Sequence, residues 1–85
     1  MQEINNTQYF KVQKDQVIEV KDVIARVYEA LTEKGYNPVN QIVGYVMSGD
    51  PTYITSHNGA RKLLTRLDRD ELLEEIVSSY IETLN

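Results

Sequence analysis

Two short punctuation marks constrain this chain more than any other feature. Gly35-Tyr36-Asn37-Pro38 and Gly49-Asp50-Pro51 each place a glycine, then a capping side chain, then proline. Glycine ends a helix by entering the left-handed region. Asn or Asp accepts from the first free amides of the next helix, and proline is favoured at its first position. Between these marks the apolar residues recur at three- and four-residue spacings, and no segment sustains alternation of period two. The pattern predicts an all-α chain of four helices plus one short helical turn.

The first helix is expected to start near Gln16. Val17, Val20, Ile24, Val27, Tyr28 and Leu31 form one face, and Gly35 ends it. The second opens at Asn37-Pro38, with Val39, Ile42, Val43, Val46 and Met47 as its apolar face. Gly44 lies inside it and costs roughly 1 kcal/mol relative to Ala, so close approach of another helix or chain is the expected compensation. Asp50-Pro51 starts a short turn through Tyr53 and Ile54, and His57-Asn58-Gly59 is a break. Ala60, Leu63, Leu64 and Leu67 then form a short stripe. Asp68 with Glu71 resembles a capping box for the last helix, which carries Leu72, Leu73, Ile76, Val77, Tyr80, Ile81 and Leu84. Residues 1–15 lack helical period and read as a flexible tail, leaving 16–85 as the helical domain.

Composition limits what such a fold can do. Eighty-five residues suit one domain, and a chain of this length buries only about 60–65% of its unfolded surface. With no cysteine and one histidine, neither disulfides nor a structural zinc can supplement the core, so a homodimer is expected. No signal peptide or spanning segment is evident, which predicts a cytoplasmic protein without membrane insertion. No convergent nucleophile, base or metal-ligating set appears, and Ser48-Gly49-Asp50 is not a phosphate-binding loop, so neither catalysis nor a cofactor is expected.

The formal charge of −4 conceals strong segregation. Residues 35–60 carry only Asp50, residues 61–69 hold Arg61, Lys62, Arg66 and Arg69 against Asp68, and residues 70–85 hold five acidic groups. For the basic run, an ion network within or between subunits ranks first. Recognition of a phosphate group or an acidic protein surface ranks second. DNA binding by a small helical regulator ranks last, since net negative charge opposes nucleic acid.

The blocks Glu33-Lys34-Gly35-Tyr36-Asn37-Pro38-Val39-Asn40-Gln41-Ile42-Val43-Gly44-Tyr45 and Ser48-Gly49-Asp50-Pro51-Thr52-Tyr53-Ile54 resemble the IreB family, small regulatory phosphoproteins of Firmicutes. The likeness continues through Ala60-Arg61 and Arg69-Asp70-Glu71-Leu72. It implies an all-helical homodimer without enzymatic activity. It implies phosphorylation by a membrane Ser/Thr kinase that senses cell-wall material, and reversal by the cognate phosphatase. It also implies control of envelope stress and peptidoglycan-precursor synthesis through a regulatory protein partner in a proteolytic pathway. The phosphoacceptor it implies is Thr7, in Thr7-Gln8-Tyr9-Phe10. Thr32, Thr52, Thr55, Thr65 and Thr83 fall within or beside predicted helices and make poorer acceptors. Family members commonly carry Pro-Arg-His where this chain has Thr55-Ser56-His57, and Asp where it has Gly59. The loop therefore lacks one arginine, which leaves Arg61, Arg66 and Arg69 as the candidate partner-binding residues. The dimer interface is expected in the nearly uncharged 35–60 region together with the last helix.

Overall fold

In the computed structural model, residues 19–85 are described; Thr7, the proposed tail and Gln16–Ile18 lie outside them. Among the described residues four α-helices appear and no strand: α1 (Val20–Glu33), α2 (Pro38–Ser48), α3 (Ala60–Leu64) and α4 (Arg69–Glu82). Two 3-10 turns, Pro51–Tyr53 and His57–Gly59, join α2 to α3. The second turn stands where only a break was expected, and Asn58 within it adopts a positive φ of 54°. Helix α1 starts at Val20, with Glu19 extended before it.

The punctuation operates as its residue types require. Gly35 takes φ 82°, which lets its amide donate to the Thr32 carbonyl (3.0 Å) and the Tyr36 amide donate to the Leu31 carbonyl (2.9 Å). These are the paired bonds of a Schellman motif. Asn37 Oδ1 accepts from the Asn40 amide at 3.0 Å, and Pro38 takes the first helical position of α2. Gly49 at φ 77° closes that helix. Asp50 Oδ1 then accepts from the Thr52 amide (3.0 Å) and hydroxyl (2.7 Å), ahead of Pro51. Glu71 Oε1 accepts from the Asp68 amide at 3.1 Å at the start of α4.

Helix α1 lies at the centre and packs against α2, α3 and α4. Its buried stripe is Val23, Val27, Ala30 and Leu31, rotated from the face expected of it. Ile24 is only half-buried and Tyr28 is exposed. The remaining core comes from Tyr45, Ile54, Ala60, Leu64, Leu67 and Leu72. Helices α2 and α4 each give this core a single buried side chain, Tyr45 and Leu72. Their apolar stripes point outward instead, with Val39, Val43 and Met47 on α2 and Leu73, Val77, Tyr80 and Ile81 on α4 all exposed. Spacing identifies a stripe but not which neighbour covers it.

Gly44 does mark a close approach, but to a side chain of the same chain. A Cβ there would fall 2.8 Å from Tyr53 Cζ and nearer still to two other ring atoms. The Tyr53 carbonyl also accepts from Gln41 Nε2 at 2.8 Å, which ties the 3-10 turn back onto α2.

Two substitutions check this packing by urea unfolding. Leu31, with no exposed surface, sits at the centre of the core, so Leu31→Ala is expected to cost about 2–5 kcal/mol. Gly44→Val must displace the Tyr53 ring and is expected to cost about 1–3 kcal/mol.

Candidate functional site

Two surfaces merit description as sites, one basic and one apolar. The three arginines singled out from the sequence do not act alike. Arg61 is half-buried, and its Nε donates to the carbonyl of fully buried Ile54 at 2.8 Å. Arg69 Nη1 donates to the Val46 carbonyl at 2.9 Å, and its guanidinium covers Gly49, where a Cβ would meet Cζ at 2.9 Å. A cation at this place satisfies a free carbonyl and opposes the negative end of the α2 dipole. Arg61 and Arg69 thus hold the fold together as well as presenting charge. Arg66 is exposed.

Arg66 has unforeseen company. It lines a cleft of about 210 Å³ with Arg26 of α1, Lys62 of α3, and Asn58, Gly59 and Leu63. Three cationic side chains, from α1, from α3 and from the turn after α3, therefore converge on one hollow. No carboxylate among the described residues lies within 4.0 Å of a nitrogen of any of the three. Glu29 lines an adjoining hollow with Arg26 and Asn58. Sequence spacing could not place Arg26 here, since it lies 36 residues from Lys62 and the packing of α1 on α3 brings them together. At five residues, α3 is too short to serve as a DNA-reading helix of ordinary length.

The single histidine has a partner that the sequence did not suggest. His57 Nε2 lies 2.7 Å from Glu33 Oε1, and Asn58 Nδ2 donates to the same oxygen at 3.4 Å. This fastens the turn beside the cleft to the end of α1. On the opposite side of the α2–α3 connection, hydrogen bonds from the Thr52 hydroxyl and amide, aided by the charge of Arg61, hold the Asp50 carboxyl below its ordinary pKa. The stabilisation from this cap is therefore complete above the ordinary carboxylate pKa. It is lost as pH falls through the lowered value.

The second surface is apolar. A groove of about 530 Å³ runs between α1, α2 and α4, lined by Ile24, Ala25, Tyr28, Pro38, Val39, Ile42, Val43 and Ile76, with Lys21 at its edge. It continues the outward stripes of α2 and α4, where Met47 is 78% and Tyr80 63% exposed. A small monomer rarely presents so large a contiguous apolar face. Among the described residues no group of three metal-ligating side chains converges, and no helix is long and apolar enough to cross a membrane.

Arg69→Ala is expected to lower stability by about 1 kcal/mol through the lost carbonyl bond. Arg66→Ala should stay within about 0.5 kcal/mol of the parent chain. Paired chemical-denaturation curves check the contrast.

Comparison with known proteins gives these surfaces a context. Residues 5–82 match the model of a family described as IreB regulatory phosphoprotein. A UPF0297 protein of Lachnoclostridium phytofermentans is 71% identical over 82 residues, covering 96% of this chain and 93% of the relative. A UPF0297 protein of Ruminiclostridium cellulolyticum is 54% identical, with the same coverage of each chain. One of Acetivibrio thermocellus is 56% identical over 78 residues, covering 92% of this chain and 87% of the relative.

Proposed function

The chain belongs to the IreB family of regulatory phosphoproteins, and on that premise we propose that it is a non-enzymatic switch governed by phosphorylation of Thr7. The kinase is a membrane Ser/Thr kinase responsive to the cell envelope, and its cognate phosphatase reverses the modification. The output is control of envelope stress and peptidoglycan-precursor supply, exerted in the cytoplasm through contacts with a regulatory protein partner in a proteolytic pathway. The observation that carries this reading is the extent of the family match, which begins at residue 5 and so takes in Thr7. A phosphate there adds about −1.5 to −2 charge and three acceptor oxygens, enough to change which surface the segment prefers.

The functional unit in this proposal is a homodimer. Its support is the apolar face on α2 and α4, which is exposed among the described residues. A second copy brings the same stripes and closes them by twofold symmetry, as most small homo-oligomers do. Arg61, Arg66 and Arg69 remain the candidate partner-binding residues, with Arg66 the most freely presented of them.

Incubation with the purified kinase and mass spectrometry test the acceptor. Phosphate incorporation is expected at Thr7 and is expected to be abolished in Thr7→Ala. Undiminished incorporation in that variant excludes the assignment. Light scattering at micromolar concentration tests the dimer: the parent chain should show twice its 9.8 kDa mass, whereas Val43→Asp with Val77→Asp should show the monomer mass. A parent chain at the monomer mass contradicts the dimer.

A further inference from the structure

We propose that the cleft between Arg26, Lys62 and Arg66 is a receptor for the phosphothreonine of this chain's own N-terminal segment, so that modification creates an internal ligand. This rests on the reading of Thr7 as the phosphoacceptor, and it adds a destination for the phosphate.

Three features carry the proposal. The first is charge convergence. Arg26 from α1, Lys62 from α3 and Arg66 from the turn that follows α3 line one hollow with Asn58 at its rim, and no carboxylate among the described residues is bonded to any of the three. Two guanidinium groups and an ammonium match a phosphate dianion, which accepts several charge-assisted bonds at once. Asn58 supplies a neutral donor, although its Nδ2 also lies 3.4 Å from Glu33 Oε1. Among the described residues the cleft lining holds no carboxylate; Glu29 lies in the adjoining hollow, and Glu33 is already engaged by His57. The cleft therefore keeps a positive balance.

The second feature is reach. Eleven residues lie between Thr7 and Glu19, enough to span up to roughly 40 Å when extended. Arg26 lies six residues into α1 from Val20, roughly 9 Å along the helix axis. The segment joins the body at the start of the helix that supplies one wall of the cleft.

The third feature is conditionality. Residues 1–18 carry Glu3 and Asp15 against Lys11 and Lys14, a formal side-chain charge of zero. The unmodified segment thus has no net electrostatic attraction to a cationic cleft. Phosphorylation supplies the negative charge, and the same event occupies Arg66. A partner that reads Arg66 is then excluded when Thr7 is modified and admitted when it is not.

The test uses full-length chain with phosphothreonine installed at position 7 by semi-synthesis, so its outcome is independent of whether the kinase modifies that residue. Amide chemical shifts of Arg26, Asn58, Gly59, Lys62 and Arg66 are expected to differ from those of the unmodified chain. The phosphorus resonance should move toward that of a free phosphopeptide in the Arg26→Gln, Arg66→Gln double variant. Circular dichroism should show an unchanged fold, since both side chains are exposed. Added in trans to unmodified chain, a phosphorylated 1–18 peptide should bind at least tenfold more tightly than the unphosphorylated peptide. That preference should shrink in the double variant and at high salt. Shifts confined to the first 18 residues or to another face overturn the proposal, as does equal binding of the two peptides. Tighter binding of a DNA duplex than of the phosphopeptide at the same residues also overturns it.

Discussion

Everything in this small fold leans on one stripe of α1. Val27 and Leu31 have no exposed surface, and Val23 and Ala30 have almost none. Helix α3 and the start of α4 close over that stripe through Ala60, Leu64, Leu67 and Leu72. At about 25 cal/mol per Å² of apolar surface, a core of ten such side chains offsets the ordering entropy of a short chain by only a narrow margin. The polar fastenings therefore matter more than they would in a larger domain. The Schellman motif at Gly35, the Asn37 and Asp50 caps, and the bonds from Arg61 and Arg69 satisfy backbone groups at the ends of short elements. Without them these groups would lack intrahelical partners.

This division of labour separates the two surfaces. Arg61 and Arg69 each give a bond to a backbone carbonyl, so their donors are partly committed within the chain. Arg26, Lys62 and Arg66 have no carboxylate partner among the described residues and converge on one hollow from α1, α3 and the turn after α3. The apolar residues divide in the same way: one stripe of α1 makes the core, while the stripes of α2 and α4 face outward. In the switch proposed above, the apolar surface assembles and the basic one reads charge.

Much of the local architecture was legible in the residue order. The Asn37-Pro38 and Asp50-Pro51 starts, the Gly35 and Gly49 stops and the Asp68–Glu71 pairing all stand where short-range chemistry demands them. Such signals are read over three or four residues and need no tertiary contact. The rest depends on long-range packing. Val39, Val43 and Met47 carry a good helical period, yet the period alone does not say that they face outward. Tyr53 fills the space beside Gly44 and Arg26 meets Lys62 because helices cross, which no spacing encodes. The glutamate partner of His57 is 24 residues distant and was equally hidden.

The Arg69 bond has a consequence beyond local stability. It links the first residue of α4 to the last turn of α2, with the guanidinium laid over Gly49. These are the two helices whose apolar stripes lie outward. Their relative tilt is thereby set before any second molecule arrives. A surface assembled in advance loses little conformational freedom on association, and an imperfectly shaped competitor cannot easily remould it. One exposed hydrogen bond thus helps to fix the geometry of the open face.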